Sequence, residues 1–136
     1  MDETALDFLE SLKVPFIKLG SGDSNNLRLI KKAARTGVSS TLPGFSAHTA
    51  FRVGMKPYIK FRKIGNGEVK SRLFQIPLVI STGMSDMKTV ERIYSAIPHP
   101  VGILQCTSAY PTQLSEVNLN VIDTYRRHFP DAVIGW

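Results

Sequence analysis

A single cysteine, Cys106, stands among the 136 residues. One thiol excludes an internal disulfide and any metal site built from several cysteines, and suits a reducing compartment. Alone, such a cysteine is more often a small buried hydrophobe than a nucleophile. Long hydrophobic runs are missing too, since no stretch approaches the roughly 18 apolar residues of a membrane span. The opening "MDETALDFLESL" is acidic and amphipathic rather than signal-like. The expectation is a soluble, cytoplasmic chain with no membrane partner. Histidine is scarce: His48, His99 and His128 are spaced too far apart in sequence for a local metal motif.

What is present is ordinary globular material, 43% hydrophobic, enough for one modest domain and short for a large α/β fold. The net charge of +6 is localised. Residues 38–75 hold seven basic side chains (Arg52, Lys56, Lys60, Arg62, Lys63, Lys70, Arg72) against one acid, Glu68, and so carry the whole imbalance.

Outside that segment, amphipathic stretches alternate with short apolar runs and small polar loops. Ala5, Leu6, Leu9 and Leu12 share one face of a first helix, "VPFIKL" (14–19) reads as a buried strand, and Leu27, Ile30, Ala33 and Ala34 mark a second helix. The rhythm resumes with "PLVIS" (77–81), a helix near 86–97, "VGILQC" (101–106), a helix near 115–128 and a last strand in "AVIGW" (132–136). Continuous apolar runs with short connections indicate a parallel sheet buried on both faces. A (β/α)₈ barrel or a doubly wound sheet would satisfy this pattern.

Residues 38–75 show no clear period and would have to fit into a connection that normally spans a few residues. Val38-Ser39 can be encoded in frame by GTRAGT and Phe74-Gln75 by TTYCAG, the consensus edges of an intron. The segment is therefore expected to be a disordered insertion at about 38–75, either translated intron or a surface insertion; its removal would join Gly37 to Ile76.

In parallel α/β folds ligands meet the carboxyl ends of strands. Three such loops stand out: Lys18 with Gly20-Ser21-Gly22-Asp23, then Ser81-Thr82-Gly83-Met84-Ser85, then Thr107-Ser108-Ala109-Tyr110-Pro111. A lysine, several hydroxyls and glycine-exposed backbone amides at helix starts suit an anionic phosphate or carboxylate. Taken singly, Gly-Ser-Gly can be only a turn, and Ser24, Asn25, Ser81 and Thr82 only helix caps. Lys18 resists that reading, because lysine at the end of an apolar strand is costly to bury without an anion.

The motifs K-x-G-S-G-D, S-T-G-M and Q-C-T-S-x-Y-P, in this order, resemble the sialic acid synthase family, the N-acylneuraminate-9-phosphate synthases. The resemblance covers 1–37 and 76–135 and implies consecutive units of a partial (β/α)₈ TIM barrel, with 38–75 as a basic insertion between its two parts. It further implies condensation of phosphoenolpyruvate with N-acetylmannosamine 6-phosphate, or N-acetylmannosamine, to N-acetylneuraminate 9-phosphate or N-acetylneuraminate. By position, Lys18, Ser21, Ser81, Ser108 and Tyr110 would hold phosphoenolpyruvate and Asp23 would contact the sugar. A divalent metal, Mn²⁺ or Mg²⁺, and a homodimer are implied for the intact family. The family's metal-binding histidines are absent from this chain, so the chain alone is expected to be inactive. The alternative is a noncatalytic binding module that uses its basic insert for acidic partners; nucleic acid is not expected as a ligand, since aromatics spaced for base stacking are lacking.

Overall fold

The computed structural model describes residues 1–12, 14–39, 59–64, 68–98 and 101–136, with the backbone alone described in the strands at 37–39, 59–64 and 68–75. Side-chain caps start three of the helices. The Asp2 carboxylate accepts from the Ala5 N–H at 2.7 Å ahead of α1 (Glu3–Ser11). Asn26 accepts from Leu29 N–H at 3.1 Å ahead of α2 (Leu27–Ala33), and Asp86 from Thr89 N–H at 2.8 Å ahead of α3 (Met87–Ala96). Each satisfies an amide that the first helical turn leaves without an intrahelical partner. The hydrogen bonds from Thr89, helped by Lys88 and Arg92, hold the Asp86 carboxyl below its usual range. The fourth helix, α4 (Val121–His128), carries Arg126, Arg127 and His128 in its last turn, where positive charge suits the helix dipole.

The strands at β1 (Ile17–Leu19), β5 (Leu78–Ser81), β6 (Val101–Leu104) and β7 (Val133–Gly135) form one parallel sheet in the order β1-β5-β6-β7. The register sets Leu19 beside Ile80 and Ile80 beside Ile103. Because successive side chains alternate faces, Ile17, Leu19, Leu78, Ile80, Val101 and Ile103 share the face that the helices cover. All six are buried, in one cluster with Leu6, Leu29, Ile30, Val90, Ile93, Tyr125 and Phe129. Burying each large aliphatic side chain contributes about 1.5–3 kcal/mol, so this layer is the main source of stability. The Phe129 ring packs 4.8 Å from Tyr94 and 5.8 Å from Tyr125, centroid to centroid, which ties α4 to α3.

The opposite face carries Lys18, Val79, Ser81, Gly102, Leu104, Val133 and Gly135. In a closed (β/α)₈ barrel this is the interior. Lys18 and Val133 are exposed. Four parallel strands with helices on one side are the expected partial α/β barrel.

Several local expectations shift. The helix near 115–128 is two pieces, a 3₁₀ turn at Leu114–Glu116 and α4, separated by Asn118 in a left-handed conformation (φ 46°). Of the first helix's apolar face only Leu6 is fully buried, and Leu12 is exposed, because β1 is an edge strand with no neighbour beyond it among the described residues.

The described residues of the insertion at 37–75 form strands that a period-free reading does not expect. Strands β2 (Gly37–Ser39), β3 (Ile59–Ile64) and β4 (Glu68–Gln75) form a separate antiparallel sheet in the order β2-β4-β3. Only Ile59 and Phe61 alternate in phase in "IKFRKI", and "EVKSRLFQ" does not alternate at all, so periodicity gives no strand signal there. The rest of the expected insertion, with His48, and also His99 lie outside the described residues. The excursion leaves and returns at one place: Gly37 pairs with Gln75, and the Ile76 N–H donates to the Thr36 carbonyl at 3.4 Å.

Candidate functional site

The three loops read from the sequence follow β1, β5 and β6, which are adjacent in the sheet and point the same way. Their carboxyl ends therefore lie side by side. After β1, the chain turns through the 3₁₀ segment Ser21–Asp23; after β5 it makes the turn Thr82–Ser85; after β6 it runs irregularly through Thr107 to Pro111.

The loops meet at Gly83, which is buried. A Cβ built there would overlap Ser108 Oγ and stand 2.7 Å from Ser21 Oγ and 3.2 Å from Ser21 Cβ. Two hydroxyls from two neighbouring loops thus close on the backbone of the third. The position of this glycine is informative. The Ser85 N–H donates to the Thr82 carbonyl at 3.0 Å, closing a four-residue turn whose third residue, Met84, has φ 65°. In such a type II pattern glycine belongs at the third position, where φ is positive. Here Met84 takes that conformation, at a cost of about 1–2 kcal/mol for a residue with a Cβ, while glycine sits one place earlier. The space occupied by Ser21 and Ser108, and not backbone conformation, is what demands Gly83.

Hydrogen bonds hold this turn from both ends. Thr82 donates its N–H and its hydroxyl to the Leu104 carbonyl, both at 3.0 Å, and accepts from the buried Tyr125 hydroxyl at 3.0 Å. On the other side, Ser85 Oγ donates to Ser24 Oγ at 2.7 Å, and Ser24 Oγ donates to the Ser21 carbonyl at 2.7 Å. Beneath the turn, Ser81 is 3% exposed and its Oγ has no hydrogen-bond partner. A buried hydroxyl left unmatched costs about 1–3 kcal/mol, a cost that a bound ligand would remove.

Lys18 shares the sheet face of Ser81. It pairs with Val79, so Ser81 lies two residues, about 7 Å, further along the neighbouring strand. No ion pair joins Lys18 to another described residue, which leaves an exposed lysine on the sheet face that carries Ser81. Asp23 stands in the 3₁₀ turn and pairs with the Met1 ammonium at 3.0 Å. Tyr110, in the loop after β6, is 98% exposed. So Ser21 and Ser108 come together at Gly83, and Lys18 and Ser81 share one sheet face. Among the described residues no three His, Cys, Asp or Glu side chains stand together as an ion's ligands. Among the described residues, clefts of about 760 Å³ between α2 and α3 and about 510 Å³ beside α1 and α2 open elsewhere. The larger has a mixed lining, Lys31, Lys88 and Arg92 with Asp86 and Glu91, and the smaller is basic, lined by Arg28, Lys31, Lys32 and Arg35 with Glu3.

The match to protein families agrees with these motifs. The family model that fits is the NeuB family, over residues 1–52 and 57–136, a match whose break falls inside the basic segment. The chain belongs to the NeuB family. Among curated proteins, the chain is 36% identical over 140 aligned positions to N-acetylneuraminate-9-phosphate synthase of Homo sapiens, covering 100% of this chain and 28% of that protein. It is 35% identical over 140 positions to the Drosophila melanogaster enzyme of the same name, covering 100% and 27%. The chain thus spans little more than a quarter of the length of these relatives. Among solved structures, N-acetylneuraminic acid synthetase of Leptospira borgpetersenii superposes with a TM-score of 0.67 at 19% identity, covering 100% of this chain and 35% of that one. That likeness supports the fold, the partial (β/α)₈ barrel. Within this NeuB chain the sequence motifs named loops that the sheet brings together, yet they did not point to Gly83 as the meeting point or to Tyr125 as a support. Glycine in S-T-G-M reads as an ordinary turn residue, and Tyr125 as one more apolar position on a helix; only their neighbours in space distinguish them.

Proposed function

We propose that this chain supplies the phosphoenolpyruvate-holding wall of a sialic acid synthase, which condenses phosphoenolpyruvate with N-acetylmannosamine 6-phosphate. The observation that carries the reading is the convergence of Ser21 and Ser108 on Gly83 beside the unmatched Ser81 hydroxyl. Hydroxyl donors and turn amides suit a tetrahedral or planar oxyanion, and the Lys18 ammonium supplies the opposite charge. In the reaction, C3 of phosphoenolpyruvate bonds to the aldehyde carbon of the open-chain sugar; water adds at C2, the C2–O bond breaks and phosphate leaves. Lys18, Ser21, Ser81, Ser108 and Tyr110 hold the anion through these steps, and Asp23 contacts the sugar. When bound, the divalent metal of the family acts as a Lewis acid on a carbonyl oxygen. The described residues offer it no fitting donor set, and no step here runs through it. The intact protein is read as a cytoplasmic homodimer. No helix among the described residues is long and apolar enough to cross a membrane.

Residues 1–136 alone are expected to bind phosphoenolpyruvate without turnover, since four strands leave the barrel's inner face uncovered. Titration calorimetry with phosphoenolpyruvate tests the binding. Lys18→Ala should weaken it about tenfold or more, as loss of a charge-assisted contact costs about 1.5–3 kcal/mol. Equal affinity in the variant would remove Lys18 from the site. Phosphate release with the sugar phosphate and Mn²⁺ or Mg²⁺, by 1–136 above a Lys18→Ala control, would overturn the expected inactivity.

A further inference from the structure

The hydrogen bond between Tyr125 and Thr82 joins the helix layer to the loops, and catalysis as read above gives it no part. Tyr125 lies on α4, 4% exposed, packed against Phe129. Its hydroxyl reaches through the layer to Thr82 Oγ1 at 3.0 Å, and this threonine in turn donates to the Leu104 carbonyl at the end of β6. One residue further on, Gly83 meets Ser21 and Ser108. A buried phenol needs a partner, but it could have found one within the helix layer; here it is spent on the residue next to the turn. Met84 adds a second observation: a left-handed residue with a side chain persists only where its surroundings hold it in place. The third is Ser81 Oγ, nine-tenths buried and unpartnered directly before Thr82.

We propose that Tyr125 is a positioning residue: by fixing Thr82 it holds the Gly83 turn in the one conformation that gathers the Ser21 and Ser108 hydroxyls into a single oxyanion site. The inference rests on the function proposed above for the ligand's identity, though the mechanical coupling it describes does not. Tyr125 itself touches no ligand. Removing its hydroxyl frees Thr82 Oγ1 from one of its two partners, lets the strained Met84 turn relax and separates the two serines.

The test compares wild type with Tyr125→Phe, Thr82→Val, the double variant and Thr82→Ser, in the full chain. Amide hydrogen exchange is followed at 82–85 and 20–24, and phosphoenolpyruvate affinity by calorimetry. Exchange should quicken several-fold in both segments for Tyr125→Phe and Thr82→Val, and affinity should fall about 5- to 20-fold, the range expected for a lost buried hydrogen bond. The double variant should be no worse than Thr82→Val alone, which already breaks the Tyr125 bond together with the one to Leu104, and Thr82→Ser, which keeps the hydroxyl, should retain both readouts. Unchanged exchange at 20–24 in Tyr125→Phe, or additive losses in the double variant, would overturn the proposal. Should Tyr125→Phe fail to fold, Thr82→Val decides, since it cuts the same bond from the loop side. If exchange responds as expected while wild type does not bind phosphoenolpyruvate, the positioning role stands and the functional reading falls.

Discussion

The two sheets of this chain are built on different terms. The parallel sheet β1-β5-β6-β7 rests on a continuous apolar layer, each strand separated from the next by a helix that covers it, with Leu19, Ile80 and Ile103 in register across three strands. The antiparallel sheet β2-β4-β3 is formed by local pairing within 37–75, and it is joined to the body where Thr36 and Ile76 bond across its base. The first sheet carries the loops of the site on its strand ends. The second interrupts the connection between α2 and β5, at a point where the barrel unit is already closed. The excursion's entry and exit stand in contact, at Thr36 and Ile76, and β1 and β5 on either side of it keep a regular parallel register.

Breaking the body should cost most. Ile80→Ala removes a fully buried side chain from the central strand, between Leu19 and Ile103, and should destabilise by about 2–5 kcal/mol in chemical denaturation. A cost under about 1 kcal/mol would show that the layer is not close-packed. Deleting 38–75, which joins Gly37 to Ile76, is the converse experiment. The melting temperature should move by less than it does for Ile80→Ala, and phosphoenolpyruvate affinity should be kept; a larger loss of stability than the core cavity causes would show that the second sheet supports the first.

The smallest effect concerns the cap of α3. The Asp86 carboxyl is held below its usual value of 3.8 by hydrogen bonds from Thr89. Its folded pKa is depressed, so its contribution is present above about pH 4 and is lost as pH falls through the lower folded value. Asp86→Asn should leave the melting temperature almost unchanged near pH 7 and reduce its fall between about pH 4 and the acid limit. An acid profile identical to wild type would show that the carboxylate's charge adds nothing to the cap.

Much of the body was legible because its period was clean. Apolar runs at 14–19, 77–81 and 101–106 contained the three strands, whereas the caps read at Ser24, Asn25, Ser81 and Thr82 fall in the structure to Asn26 ahead of α2 and Asp86 ahead of α3. Strand and helix limits moved where a neighbour decided them, as when Asn118 broke the long helix into a 3₁₀ turn and α4. The strands within 37–75 were hidden because their sequences hold no consistent apolar alternation. In the site, Lys18 was conspicuous because a charge ended an apolar run, whereas Thr82 and Tyr125 were not, being 43 residues apart.

What the sequence determined by itself was the parallel α/β class, the order of its units, the concentration of positive charge in one segment, and the three hydroxyl- and glycine-bearing loops that follow neighbouring strands. These follow from periodicity, composition and short-range capping, which depend on near neighbours along the chain. Tertiary structure alone decided that Gly83 is the point where those loops close, that Ser81 Oγ is buried without a partner, and that a tyrosine on the far layer holds the turn in place. Such facts depend on which residues the parallel register and helix packing bring within a few ångströms, and no local pattern encodes a distance between residues 21, 83 and 108.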